Sequence, residues 1–261
     1  MITRFNIYEN AEQTCVALAT RLALLAQTGG CVALSGGNTP KLLFKIMAEQ
    51  FPAANWNNLW YFWGDERMVP SESQESNYGV FYREFAVPAV IDGSRILATD
   101  FFPDTRTALT NILEKLKNTV PFVNGLPRFD LIILGIGEDG HVASIFPENL
   151  ASFSLNEHNG GSPDELTKDS LGTRDGIESG AIAEIIRHPV NGQQRITLTG
   201  RTLNNACEVA FLCTGEGKSG IIYDIIKNRN MNLPATHVAP QRVLNWYMDG
   251  FAAQKIESYE K

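Results

Sequence analysis

Short apolar runs alternate with amphipathic stretches along most of the chain. Residues 3–8 read as a strand. Asn10 then has the form of a helix N-cap, with Gln13 three residues on. Cys15, Val16, Ala19, Leu22, Ala23 and Ala26 come next at helical spacing, and Gly29 and Gly30 end the helix. Residues 31–35 are a short apolar run before glycines, which predicts a buried strand. Thr39 is placed to cap the next helix, with Pro40 in its first turn, where a missing N–H costs nothing. The rhythm then repeats. Residues 59–63 read as a strand, 64–76 as a polar loop, 77–86 as a helix, 104–120 as a helix capped by Asp104, and 129–134 as a buried strand. Strands at 194–199, 207–213 and 243–248 and a helix at 217–229 complete the pattern.

Apolar strands alternating with amphipathic helices predict an α/β fold: a mostly parallel, doubly wound sheet covered on both faces. The 261 residues suffice for one large domain, 1–261. Residues 148–180 break the rhythm, being rich in Gly, Ser, Asn, Asp and Glu. They read as a surface insertion at about 148–185, too short to be a domain.

Composition narrows the functions. The net charge of -7 makes nucleic acid and anionic membranes poor partners. An anionic ligand would have to be drawn in by local Arg, Lys and backbone N–H groups. Cys15, Cys31, Cys207 and Cys213 form no CxxC pair and no metal-ligand spacing. Three of them fall in buried strand or helix, as small core residues of a reducing compartment would. Glu9, Glu12 and Arg21 argue against a signal peptide or membrane span at the N-terminus, so a cytoplasmic protein is expected.

In open parallel sheets, ligands bind beyond the carboxyl ends of the strands. Four loops leave such ends: Ser35-Gly36-Gly37-Asn38-Thr39, Gly64-Asp65-Glu66-Arg67, Gly135 to His141, and Thr214-Gly-Glu-Gly-Lys218. The first joins glycines to a helix N-terminus, a pattern suited to phosphate. It is not a Walker loop, since no Gly-Lys-Ser/Thr comes after it. Lys218 opens a helix, where an anionic partner would suit it; a solvated surface lysine accounts for it equally well. Arg67 has the geometry for bidentate phosphate recognition, although the Asp-Glu-Arg triplet alone equally describes a surface salt-bridge cluster. Gly135-Ile-Gly-Glu-Asp-Gly140 spells a nicotinamide fingerprint, but Pro147 and the polar excursion stand where a long helix should run. His141, at a strand end beside Asp139, is the best candidate general base.

Taken in order, these motifs carry a family resemblance. Ser35–Pro40, Trp63–Arg67 with Ser76-Asn77, Gly135-Ile-Gly-Glu-Asp-Gly-His-Val-Ala-Ser-Ile-Phe-Pro147, Arg195–Thr199 and Thr214–Lys218 resemble the 6-phosphogluconolactonases. That family is related to the glucosamine-6-phosphate deaminases. The resemblance spans nearly the whole chain except about 148–185. It implies a modified Rossmann-like sheet, no cofactor and no metal. It implies hydrolysis of a phosphorylated sugar lactone in the pentose phosphate pathway, by a monomer or small homo-oligomer. On matching positions, His141 would activate water, with Asp139 and Asp65 as orienting acids. Ser35, Gly36, Gly37, Asn38, Thr39, Arg67 and Lys218 would hold the phosphate. The deaminase pattern Ile-Ala-Phe-Asn-Glu-Pro is replaced by Val142-Ala-Ser-Ile-Phe-Pro147, with Phe146 where the deaminase glutamate would fall. Val142 stands where lactonases usually carry threonine. The insertion comes directly after this loop and is a candidate lid. The related sugar-phosphate-sensing regulators would call for a DNA-binding segment, and none is legible.

Overall fold

The computed structural model describes residues 1–98, 104–153, 172–174, 177–179 and 182–257, with 172–174 and 177–179 as backbone only. Most of the 148–185 stretch, and with it the lid expectation, lies outside these residues.

Six strands form one parallel sheet: β1 (Ile2–Tyr8), β2 (Gly30–Leu34), β3 (Leu59–Trp63), β5 (Leu131–Leu134), β8 (Glu208–Cys213) and β9 (Val243–Asp249), in the order β1-β9-β8-β5-β2-β3. The central strands are apolar on both faces because helices cover both. Helices α1 (Ala11–Thr28) and α2 (Asn38–Gln50) pack on one face, where Leu18, Leu22, Leu43 and Phe44 are fully buried with Tyr61, Phe81 and Phe85. Helix α3 (Asn77–Phe81), capped by Ser76, lies on that side too. Helices α4 (Thr105–Thr119), α5 (Gly200–Asn205), α6 (Ser219–Ile226) and α7 (Gly250–Glu257) contribute Leu109, Leu203, Ile222 and Ala253 to the opposite core.

A second, three-stranded antiparallel sheet was not anticipated. It comprises β6 (Ala183–Arg187), β7 (Gln194–Leu198) and β4 (Asp65–Arg67), in that order. The strand expected at 194–199 therefore leaves the parallel sheet. The loop expected at 64–76 opens with a strand, because the chain leaving β3 changes partner at Gly64. Gly64 N–H donates to Leu34 and its carbonyl accepts from Leu198 N–H, each at 2.8 Å, which joins the two sheets.

Local expectations also shift. Asn10 caps α1 through Gln13 N–H, but the Gln13 side chain turns back to Glu9 rather than to Asn10. The cap of α2 is Gly37, not Thr39, and no side chain covers its first turn. Thr39 lies inside the helix, and its hydroxyl meets that of Thr214 at 2.8 Å. The helix at 77–86 becomes a π-turn after Phe81, and that at 217–229 narrows to Ser219–Ile226 after a 3-10 turn. Asp104 caps α4 as expected.

Candidate active site

The carboxyl ends of β2, β3, β5 and β8 lie side by side, and the loops leaving them border one cavity of about 570 Å³. That size suits a small ligand. Every residue given a catalytic or phosphate-binding role from the sequence except Asp139 lines it, and Asp139 is bonded to one that does.

Around the first loop, Gly36 and Gly37 are exposed to the cavity beside the uncapped start of α2. A Cβ on Gly36 would sit 1.8 Å from Asn77 Oδ1, so only glycine lets the loop lie against α3. Gly37 has φ +112, a conformation L side chains rarely adopt. Backbone N–H groups here have no side-chain competitor, which leaves them for an anion. The Ser35 hydroxyl is already committed, donating to the Ile133 carbonyl at 2.8 Å. The Thr39–Thr214 contact holds this loop against the one carrying Lys218. That loop is held from behind by buried Asp249, whose two carboxylate oxygens each lie 3.0 Å from Gly215 N.

On the β3–β4 side, buried Glu66 accepts N–H groups from Arg67, Asn77 and Tyr78 at 2.7, 2.9 and 2.7 Å, and the Ser76 hydroxyl at 3.2 Å. Burial pushes its carboxyl up to about 6, against the lowering effect of these donors. The contacts fold residues 66–78 into a fixed loop. Arg67 donates Nη1 to the Glu75 carbonyl at 2.7 Å, while its buried Nε has no partner among the described residues.

After β5 the chain makes a tight turn rather than a helix, as expected from Pro147. Gly137 N–H donates to His141 O at 2.9 Å and Gly140 N–H to Gly137 O at 3.0 Å. Asp139 Oδ1 accepts the His141 backbone N–H at 3.1 Å and lies 2.6 Å from His141 Nδ1. In the neutral imidazole, donation from Nδ1–H to that carboxylate would leave Nε2 with its lone pair. The imidazole also packs on Phe146 at 4.9 Å between ring centroids, and Phe146 meets His188 edge-on at 5.1 Å. Gly137 is a steric necessity: a Cβ there would lie 2.1 Å from His141 Nδ1.

Reading loops one at a time found Asp65 and Arg67 but assigned no role to Arg195, which the neighbouring strand of the second sheet supplies. Asp65 on β4 and Arg195 on β7 are 6% and 8% exposed, and both line the cavity. Ser144 joins them, donating to Asp65 Oδ2 at 2.6 Å while Arg195 Nη1 donates to its Oγ at 3.4 Å. Burial lowers the Arg195 pKa. The available signal was the alternation in Arg195-Ile-Thr-Leu-Thr199, which gives the strand a polar face; that face is buried. Among the described residues, no group of three or more His, Cys, Asp or Glu could hold a metal ion, and no helix is long and apolar enough to cross a membrane.

The sequence and the fold have counterparts among known proteins. The family model for glucosamine-6-phosphate isomerases/6-phosphogluconolactonase matches residues 7–246. The chain belongs to this family. Among relatives, the 6-phosphogluconolactonase of Haemophilus influenzae is 36% identical over 86% of this chain and 87% of its own. That of Rattus norvegicus is 32% identical over 85% and 79%. The crystal structure of the devB protein superposes with a TM-score of 0.82 at 29% identity, covering 98% of this chain and 100% of that one. A monomeric glucosamine-6-phosphate deaminase of the NagB superfamily superposes at 0.72 with 15% identity, over 96% and 99% of the two chains. Both branches of the family therefore share this fold, and the site residues must separate them.

Proposed function

We propose that the protein hydrolyses 6-phospho-D-glucono-1,5-lactone to 6-phosphogluconate, in the oxidative pentose phosphate pathway, with the whole chain as one lactonase domain. The observation that carries this reading is the convergence, in one cavity, of an uncapped glycine-rich helix start and a histidine oriented by a carboxylate. Phe146 supports the lactonase over the deaminase. It is 1% exposed and in ring contact with His141 and His188, so the position offers no carboxylate for sugar-ring opening.

In this mechanism the Gly36–Thr39 backbone, Lys218 and Arg67 hold the phosphate and fix the lactone beneath His141. Water oxygen attacks the carbonyl carbon C1, its proton passes to His141 Nε2, and the carbonyl π electrons move to the carbonyl oxygen. Collapse of that oxyanion breaks the C1–O5 bond, and O5 takes the proton back from Nε2. Asp139 keeps Nδ1 protonated and stabilises the transient imidazolium. A positioned base contributes about 10²–10⁴-fold. A lactone is an activated ester, so no covalent intermediate is required.

Freshly generated lactone, monitored by acid release, tests the reading with wild type and His141→Ala. The expected result is hydrolysis far above the spontaneous rate, lost in the folded variant by about 10²–10⁴-fold. A folded wild type no faster than the spontaneous reaction would remove the lactonase, and ammonia release from glucosamine 6-phosphate would then be measured.

A further inference from the structure

Arg67 and Arg195 are direct cross-strand partners in the β4–β7 ladder. Directly opposed residues project to the same face, where like charges repel. Both line the cavity. Among the described residues neither has a carboxylate within ion-pair distance, although Asp65, Glu75 and Glu66 attract Arg195 at longer range. Arg195 is the more demanding of the two. It is 8% exposed, and its hydrogen bonds go to neutral groups: Nε and Nη2 to Gln193 Oε1 at 3.3 and 3.2 Å, and Nη1 to Ser144 Oγ at 3.4 Å. A guanidinium carries five N–H groups, so these three bonds leave two unengaged. Burying a cation without a paired anion is costly. The cost is met when a bound ligand supplies the negative charge.

Two anionic centres exist on the proposed substrate during reaction: the phosphate, and the carbonyl oxygen as it becomes an oxyanion. Several features put Arg195 beside the second. It shares Ser144 with Asp65, and Ser144 lies three residues beyond His141, in the adjoining Val142–Ile145 turn. Ser144 N–H in turn donates to Thr197 Oγ1 on the strand that carries Arg195. The phosphate loop and Lys218 loop are instead tied to each other through Thr39 and Thr214.

We propose that Arg195 is a catalytic residue that donates to the lactone carbonyl oxygen as it becomes an oxyanion, and to the carboxylate of the product, while Arg67 faces the phosphate. The inference rests on the lactonase reading. It accounts for two opposed arginines in one cavity: each meets its own anionic group on one ligand. The electrons that leave the carbonyl π bond when water attacks C1 are held on an oxygen facing Arg195. They return when the C1–O5 bond breaks. Arg195 remains protonated throughout, contributing hydrogen bonds and charge but no proton.

Arg195→Met and Arg195→Lys test this by steady-state kinetics. Competitive inhibition by 6-phosphogluconate and by glucitol 6-phosphate, which lacks the carboxylate, is measured alongside. The expected result for Arg195→Met is a fall in kcat of about 10²–10³-fold, as for other lost oxyanion donors, with KM altered far less. Its 6-phosphogluconate inhibition constant rises at least about tenfold, the loss of one charge-assisted bond, while that of glucitol 6-phosphate holds. Arg195→Lys, which restores charge without the fork, recovers part of kcat and reports on folding. A rise in KM and weakened binding of both inhibitors with kcat intact would make Arg195 a phosphate ligand and overturn the assignment. Unchanged kcat and inhibition in the folded variants would overturn it as well. Wild type inactive on lactone would remove the underlying reading itself, and the assignment with it. An active wild type with indifferent Arg195 variants removes only this inference.

Discussion

The parallel sheet and the small antiparallel sheet supply the candidate site in different ways. Strands β2, β5 and β8 supply it through the segments that leave their carboxyl ends: glycine turns, an uncapped helix start, a histidine two residues from its carboxylate partner. These groups are local in sequence. The β4–β7 ladder supplies side chains standing on the strands themselves, and Asp65 and Arg195 share Ser144 only because residues 65–67 pair with residues 195–197. The first region resembles a general anion site built from backbone. The second adds the buried charged groups Asp65 and Arg195 to the cavity wall. The comparison teaches a division by origin rather than by role: on the proposed reading each sheet brings a phosphate group and a chemical group, the loops giving Gly36–Thr39 and His141 and the ladder giving Arg67 and Arg195, joined at Gly64 and Ser144.

The sharpest way to break that division is inside the parallel sheet. Gly137→Ala places a methyl group 2.1 Å from His141 Nδ1 and 2.5 Å from Asp139 Oδ1, so the imidazole must move. A displacement of about 1 Å costs up to about 10²-fold in kcat. Lactone hydrolysis and thermal unfolding together check it: kcat should collapse while phosphate-ester inhibitors still bind. Retained kcat would mean the histidine turn is not the chemical centre.

Ser144→Ala tests the joint between regions. It removes the 2.6 Å bond to Asp65 and the Arg195 contact, leaving a buried carboxylate with one fewer donor. A stability loss of about 1–3 kcal/mol is expected from denaturant unfolding, with a fall in kcat larger than any rise in KM. Equal changes in both would assign Ser144 to binding.

The smallest effect lies in the second sheet, away from the cavity. Glu184 on β6 is 5% exposed, accepts a hydrogen bond from the Ser152 hydroxyl, and is pushed by burial up to about 7. Its folded value lies above the unfolded 4.5, so its proton stabilises the fold below about pH 4.5, and that stabilisation is lost as pH rises through 7. Glu184→Gln should therefore be more stable than wild type at pH 8 by roughly 1–3 kcal/mol. The difference should shrink toward pH 5 in urea titrations. Activity per folded molecule should hold, since β6 supplies no group to the cavity. A pH-independent difference would place the cost elsewhere.

By itself the sequence determined the parallel sheet, the positions of its strands, the cap at Asp104 and the loops Ser35–Thr39 and Gly135–His141. Each of these depends on local chemistry: periodicity of burial, the conformational freedom of glycine, hydroxyl or carboxylate caps. Even the Asp139–His141 pair is a two-residue contact. Only the tertiary structure decided that β4 and β7 form their own sheet, that Gly37 rather than Thr39 caps α2, and that Ser144, Asp65 and Arg195 meet. The sheet and the meeting of its side chains depend on register between segments some 130 residues apart, whereas the cap follows from the backbone of Gly37, at φ +112. Pairing over that distance is selected by the burial of whole faces, which no short window of sequence contains.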